Sequence, residues 1–375
     1  MDVRVRVIGV LDESESLRFI GTIDEATRLL DKHGEAEFGR LGGGSYRPSR
    51  TCANCSLRSY CQGLPHRPGL LGVVGYSKAT RSITPSDISA YRQCPKRVWL
   101  ERDLGLPGIH ETSDAQRRGQ QIHAWLDKAH SRGIACTPSD LIDPTEVDLD
   151  SPLAIEHGLA YELDWTSADY VENYPFLAAH LDSCPISKSV ASAYSEESVT
   201  VWDTDANVVA STRVDHMRQM DDGTVIYRET KTMNRDPEFS NTLYALHIFP
   251  QVSLSLCLLA DDPDITDANA ELEILTDGGA SLFTFDATDP NVVLEARRNL
   301  AETIDMWLHD ELHWTSQQPP CSWCPMRHIC PDSMADDEAH SRKSRVATTS
   351  VLLADPEFLQ TIANDSAVDD EDIPF

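Results

Sequence analysis

The chain has 375 residues, of which 41% are hydrophobic, and this composition supports a globular body too large for one small core. It contains no run of eighteen apolar residues, so we expect no membrane-spanning helix. The N terminus lacks the apolar core of a signal peptide. The ten cysteines therefore favour metal binding in a reducing cytoplasm over disulfide formation.

The formal net charge of −29 opposes the binding of nucleic acid, which normally needs a basic surface. A local basic channel could be hidden in this average. In addition, only seven of the 32 basic residues are lysines, and an acidic, lysine-poor chain suits molar salt, where the Debye length falls to about 3 Å. A halophilic source would explain both features, although an arginine-biased genome of high GC content would also remove lysine.

A cysteine triplet near the N terminus predicts a metal site. Cys52, Cys55 and Cys61 have C-x2-C-x5-C spacing, and His66 would complete a Cys3His zinc site. Cys94 could alternatively supply the fourth ligand. Three other cysteines are further candidates, although their sequence context favours ordinary buried thiols: Cys136, Cys184 and Cys257.

The rest of the chain predicts an α/β fold. Apolar spacing and capping residues predict helices near residues 84–101, 113–131, 244–260 and 290–312. Alternating apolar residues predict strands near residues 3–10, 197–203, 207–217, 224–231 and 271–276. The intervening residues 137–170 are rich in aspartate and proline, and we expect an irregular insertion there.

A hairpin in the middle of the chain carries the strongest chemical signal. Asp222-Gly223 is a hairpin turn sequence between two strand-like segments. Glu229 and Lys231 are two residues apart on the second strand, so both project from one face, and strand pairing can bring Asp215 near them. Two carboxylates and an amine on one face can bind a hard divalent cation and position a water molecule.

Four cysteines predict a second kind of metal site. Pro95 should interrupt the helix predicted over residues 84–101 and leave the Cys94 thiol at the break. Near the other end of the same region, the C-x2-C-x5-C spacing is repeated by Cys321, Cys324 and Cys330. Four thiolates bind either zinc or an iron–sulfur cluster. Such a site would tie together two ends of one domain.

These elements, in this order, resemble the PD-(D/E)XK nuclease superfamily, in the RecB-like and CRISPR-associated exonuclease branch that carries an iron–sulfur cluster. The resemblance covers roughly residues 80–335. It adds two residues to the motifs above, the helix residue His123 and the glutamine Gln251. Two positions depart from the family pattern: Val214 precedes the aspartate, and Ser255 stands where a tyrosine normally follows the glutamine.

The resemblance implies a restriction-endonuclease-like core with a mixed central sheet flanked by helices, and a metal-dependent DNA nuclease. It implies Mg²⁺ or Mn²⁺ bound by His123, Asp215 and Glu229, with Lys231 and Gln251 as further catalytic residues. It also implies a structural [4Fe–4S] cluster held by Cys94, Cys321, Cys324 and Cys330. The implied roles are DNA repair, recombination or CRISPR-linked defence, with exonuclease action on single-stranded or end-bearing DNA.

Three regions follow from this interpretation. Residues 1–78 form a cysteine-rich extension, which could be the remnant of a duplicated nuclease tail, and residues 79–335 form the nuclease domain. Residues 336–375 form an acidic tail, expected to be disordered. Its end, from Asp369 to Phe375, resembles the acidic tip of bacterial single-strand-binding proteins, which implies a protein partner that recognises such tips.

Two other functions remain open at this level. A nuclease-derived module could keep the fold and its metal-stabilised cysteine sites for DNA binding or assembly, with little catalysis. A zinc-binding adaptor would instead hold zinc in both cysteine triplets and cleave nothing.

Overall fold

The computed structural model describes most of the chain between residues 47 and 333, together with one hairpin near the N terminus. The described ranges are residues 2–8, 15–22, 47–75, 79–131, 133–156, 159, 163, 165–186, 189–237, 239, 241–313 and 321–333. The acidic tail predicted over residues 336–375, including its terminal docking sequence, lies outside the described residues.

The chain divides into two compact units, and the smaller one contains residues 1–48 and 56–65. Its hairpin joins β1 (Asp2–Ile8) to β2 (Glu15–Thr22) in antiparallel pairing. The alternation of valine and arginine in β1 is the period-2 pattern of a strand, and it predicted this element.

The larger unit contains residues 49–55 and 66–375, and its described part holds six strands and eight α-helices. The strands are β3 (Arg81–Ile83), β4 (Val190–Asp203), β5 (Val208–Met220), β6 (Val225–Thr232), β7 (Ala268–Thr276) and β8 (Gly279–Asp286). The helices are α1 (Pro85–Gln93), α2 (Pro95–Val98), α3 (Asp114–His130), α4 (Pro152–Glu156), α5 (Ser167–Leu181), α6 (Tyr244–Ile248), α7 (Pro250–Ala260) and α8 (Pro290–Leu308). A π-helical turn, Trp99–Asp103, follows α2 directly.

The six strands form one mixed sheet in the order β3-β5-β6-β7-β8, with β4 paired to β5 off this path. Strands β3 and β5 are parallel, as are β6 and β7, and the other pairs are antiparallel. Because β4 pairs with β5 along nearly its whole length, β3 and β6 must share the other edge of β5. This arrangement leaves a gap between them in the middle of β5.

The main core lies between this sheet and helices α7 and α8. Helix α7 is buried on nearly all sides, and Leu254, Leu256 and Cys257 are almost completely buried. It belongs to the crossover from β6 to β7, the type of connection that parallel strands require. A mixed sheet flanked by helices agrees with the predicted fold class.

A second core joins α3 and α5, where Trp125, Tyr170 and Leu177 are buried. The prediction of an irregular insertion over residues 137–170 is therefore wrong at its C-terminal end, since α5 begins at Ser167 behind the capping residue Thr166. The sequence hides this helix because Pro175 lies inside it. Within the described residues, no helix combines the length and apolar character needed to cross a membrane.

Two predicted helices are interrupted, each beside a proline. The helix predicted over residues 84–101 breaks at Cys94, before Pro95, and the one predicted over 244–260 breaks at Phe249, before Pro250. The residue before proline is driven out of the helical conformation, which explains both breaks. The strands β3 and β8 were not predicted.

Candidate active site

The candidate active site is built where β5 and β6 diverge. Their connecting turn contains Gly223 with φ of 93°, a conformation that favours glycine. The strands pair only as far as His216 and Arg228. Beyond that pair, the carboxylate of Asp215 replaces the missing backbone acceptor: its Oδ2 accepts a hydrogen bond of 2.7 Å from the backbone N–H of Thr230. Asp215 is thus fixed in the gap of the sheet.

Glu229 and Lys231 lie on β6 beside this gap, and both side chains are largely buried. Lys231 Nζ donates a hydrogen bond of 2.5 Å to Glu229 Oε1. Their spacing of two residues puts them on one face of the strand, as the sequence predicts.

Helix α3 and strand β4 bring two more potential ligands. His123 Nδ1 lies 3.5 Å from Asp215 Oδ1. Glu196 joins them, since ligand atoms of His123, Glu196 and Asp215 all lie within 4.8 Å of one another. Sequence reasoning missed Glu196, which has a positive φ of 56° and lies opposite Asp215, between the β4 residues that pair with His216 and Val214. An imidazole and carboxylate oxygens suit Mn²⁺, and the carboxylates suit Mg²⁺.

Burial controls the protonation of this site. It raises the pKa of Asp215 to about 7, and burial together with the Asp215 charge raises the pKa of Glu229 to about 7. Burial opposes the charge of Lys231, but the Glu229 and Asp215 carboxylates outweigh it and raise the Lys231 pKa. Burial, followed by the Lys231 charge, lowers the pKa of His123, which favours the neutral imidazole that metals bind. A divalent cation would stabilise both carboxylates in their charged form.

The site opens into a cleft of about 940 Å³ whose wall is rich in arginine. Five arginines line it: Arg50, Arg97, Arg102, Arg118 and Arg213. A strongly acidic chain therefore gathers several arginines around the carboxylates of this cleft. Arginine is well suited to binding phosphate, because its planar group donates paired hydrogen bonds.

Comparison with models of known protein families identifies the family of this chain. A model of the PD-(D/E)XK nuclease superfamily matches residues 82–331, which is two thirds of the chain. The chain belongs to the PD-(D/E)XK nuclease superfamily. A search of curated proteins finds no match. The crystal structure of SSO0001 is similar over 69% of this chain and 89% of its own, with 17% identity and a TM-score of 0.33.

Gln251, the family glutamine predicted from the sequence, lies on the first turn of α7 and lines the same cleft. Ser255, one helical turn later, is buried. The tyrosine that the family pattern places at this position is thus replaced by a small side chain inside the core.

The four cysteines predicted to bind a cluster lie in two segments that meet. Burial chiefly raises the pKa of Cys324, and the neighbouring Cys94 and Cys330 thiols raise it further. A salt bridge of 2.5 Å between Lys96 and Asp332 joins the same two segments. The cysteine set fits an iron–sulfur cluster in its chemistry. Within the described ranges, however, the groups of ligand atoms that lie within 4.8 Å of one another do not include these thiols.

The N-terminal triplet is divided between the two units, with Cys52 and Cys55 in the larger and Cys61 in the smaller. His66 belongs to the larger unit, where its ring packs edge-on against Trp202 with 5.0 Å between the ring centroids. The prediction of a second metal site at this triplet stays a prediction.

The three remaining cysteines differ in their surroundings. Cys257 is an ordinary buried thiol, and burial raises its pKa to about 12. Cys136 and Cys184 instead lie next to each other and beside His130 and His180. Their interpretation as ordinary buried thiols stays a prediction.

Proposed function

We propose that this protein is a metal-dependent deoxyribonuclease that hydrolyses phosphodiester bonds with Mg²⁺ or Mn²⁺. The observation that carries the proposal is the convergence of His123, Asp215, Glu229 and Lys231 in a cleft lined by arginines. A cleft that combines metal-binding carboxylates with phosphate-binding groups fits a nucleic acid better than an uncharged substrate.

The residues divide into three roles in this proposal. Asp215, Glu229 and His123 hold the cation, and Glu196 completes the set from β4. When bound, the cation lowers the pKa of a coordinated water and stabilises the charge that develops on the phosphate. Lys231 keeps its proton beside Glu229, so its ammonium group can orient the water by hydrogen bonding and offset phosphate charge.

The arginines and Gln251 would act on the substrate. Guanidinium groups bind phosphates without reading base sequence, so we infer binding along the DNA backbone. We further propose that the protein belongs to the RecB-like branch of the superfamily and acts as an exonuclease on single-stranded or end-bearing DNA. Its role would be in repair, recombination or CRISPR-linked defence in the cytoplasm. The ordered motifs from Cys94 to Cys330 support the branch.

Cys94, Cys321, Cys324 and Cys330 would hold a [4Fe–4S] cluster. The closeness of the Cys324 thiol to those of Cys94 and Cys330 supports this proposal. A cluster there would close a loop of more than two hundred residues, and closing a long loop restricts the unfolded chain. Its role would therefore be structural.

Two further proposals concern the ends of the chain. Cys52, Cys55 and Cys61, with His66 as fourth ligand, would bind zinc or a second cluster in a cysteine-rich extension over residues 1–78. The acidic ending would dock to a protein that recognises single-strand-binding-protein tips.

A labelled-DNA digest tests the main proposal. Linear and circular DNA are incubated with Mg²⁺, Mn²⁺ or EDTA, from low to molar salt. Cleavage should require the cation, and Asp215→Asn should abolish it, since this change keeps the shape of the side chain but removes its charge. Asp221→Asn, at the exposed turn of the same hairpin, is the matched control and should remain active.

The outcomes separate the open functions. Degradation of linear but not circular DNA supports exonuclease action, whereas cleavage of circles contradicts it. Full activity of Asp215→Asn would overturn the assigned site. Tight DNA binding without cleavage at any salt would favour the nuclease-derived binding module.

A further inference from the structure

A group of two histidines and two cysteines lies outside the candidate active site. His130 ends α3, Cys136 follows six residues later, and His180 and Cys184 lie at and just beyond the end of α5. One ligand atom from each of the four lies within 4.8 Å of all the others. Three of these residues are buried and Cys184 is half-buried.

The distances match a tetrahedral zinc site. Zinc bonds of about 2.0–2.1 Å to nitrogen and about 2.3 Å to sulfur separate two nitrogens by about 3.3 Å, and a nitrogen from a sulfur by about 3.6 Å. His130 Nε2 and His180 Nε2 are 3.1 Å apart, and His130 Nε2 lies 3.8 Å from Cys184 Sγ. Both differ from the ideal values by only a few tenths of an ångström.

The ring nitrogen of His180 that would not bind the metal, Nδ1, pairs with a carboxylate, as is common for histidine ligands of zinc. His180 Nδ1 lies 2.9 Å from Glu273 Oε1, which fixes the ring and leaves Nε2 directed at the other three ligands. Glu273 is completely buried and is itself held by Thr230 Oγ1 at 2.8 Å and by the guanidinium of Arg228 at 3.5 Å. Metal-binding histidines regularly pair their other nitrogen with a carboxylate in this way.

We propose that His130, Cys136, His180 and Cys184 bind one zinc ion in a closed, structural site. Among the common divalent metals, a tetrahedral set of two imidazoles and two thiolates is typical of zinc. Four protein ligands leave no position for water or substrate, so the ion stabilises structure and does not catalyse.

A metal-free alternative exists for the same residues. His180 could donate a proton from Nε2 to His130 Nε2 while Nδ1 donates to Glu273. In that network Cys184 Sγ contacts His130 Nε2 and accepts from the backbone N–H of Cys136, whereas zinc would bind all four side chains directly.

The site connects the insertion to the catalytic helix. The two histidine–cysteine pairs enclose residues 137–179, so one ion would fasten that segment at both ends. His130 follows His123 by seven residues, two turns along the same face of α3. Zinc would therefore fix the helix that carries a ligand of the candidate active site.

Metal content of the full-length chain tests the proposal. Zinc is measured by mass spectrometry in the wild type, in a Cys136→Ser/Cys184→Ser double variant, and in Cys257→Ser as the buried-thiol control. The double variant should contain one zinc per chain fewer than the other two. Because the difference is measured, zinc at the N-terminal triplet does not affect it. Equal zinc in all three folded proteins would contradict the proposal.

A second measurement covers the case in which the double variant fails to fold. Wild-type protein is alkylated with and without a zinc chelator, and the modified cysteines are located by peptide mass spectrometry. Cys136 and Cys184 should be protected until zinc is removed, while Cys257 stays protected by burial in both samples. Equal modification of Cys136 and Cys184 in the two samples would refute the site independently of any variant and of nuclease activity.

Discussion

Glu196→Gln separates metal binding from the other functions of the candidate active site. The substitution removes one charge but keeps the length of the side chain and its unusual positive φ, so folding should be preserved. Glu196 also forms an ion pair with Arg213, a residue of the cleft wall. If Glu196 contributes to the cation site, its neutralisation should weaken metal binding first.

The expected loss of metal affinity depends on how strongly the Glu196 carboxylate attracts the cation and on how far Arg213 already neutralises that carboxylate. A carboxylate and a cation of charge +2 about 4 Å apart near a protein surface interact by about 8 kcal/mol, so the loss is expected to stay below this value. Arg213 already neutralises part of the Glu196 charge, and the carboxylate is only half-buried. We therefore expect a loss of about 10- to 100-fold in metal affinity, which corresponds to about 1.4 to 2.8 kcal/mol and lies well below that value.

The assay is a Mn²⁺ titration of DNA cleavage. For Glu196→Gln, the Mn²⁺ concentration at half-maximal rate should rise by about 10- to 100-fold, and the rate at saturating Mn²⁺ should recover to near wild type. Glu197→Gln on the same strand is the matched control and should leave the titration unchanged. An unchanged titration for Glu196→Gln, or a low rate that saturating Mn²⁺ does not restore, would refute the role assigned to Glu196.

Four other changes address the remaining proposals. Lys231→Ala should lower cleavage about 10²- to 10⁴-fold without restoration by Mn²⁺, and wild-type digestion would reject the assignment. Wild-type protein purified without oxygen should be brown, and Cys324→Ala should remove the colour and lower the thermal stability. A colourless wild type that contains zinc and no iron would contradict the iron–sulfur cluster. Cys55→Ala should release metal from the N-terminal triplet alone, and unchanged total metal would count against that site. Deletion of Pro374 and Phe375 should abolish binding of the protein partner, while cleavage of naked DNA persists. Equal partner binding by the truncated and the full-length protein would contradict a docking role for the tail.

The hairpin motif was predictable because its information is local. Asp222-Gly223 specifies the turn, and the period of two puts Glu229 and Lys231 on one face. Glu196 could not be found in this way, since its position opposite Asp215 depends on how β4 pairs with β5. The period of two tells which face of a strand a side chain is on. It does not tell which residue of the neighbouring strand lies opposite that side chain.

The histidine–cysteine group escaped prediction for a related reason. Each half is a local pair, His130 with Cys136 and His180 with Cys184, but neither pair has a spacing as specific as C-x2-C. The halves meet only because α5 packs on α3, and α5 itself was hidden by Pro175. Long-range packing of helices is the information that the sequence pattern lacked.

The net charge and the cleft can be reconciled by considering where each charge lies. The arginines of the cleft are balanced by nearby carboxylates: Arg102 pairs with Asp87 at 2.7 Å, and Arg97 with Glu101 at 3.5 Å. A DNA phosphate must compete with these partners, which weakens long-range attraction but retains paired hydrogen bonds at contact. In molar salt, charges beyond about 3 Å are screened, so the repulsion from the acidic surface fades while contacts inside the cleft persist. Local geometry at the carboxylates, and not the total charge of −29, therefore decides whether DNA can bind.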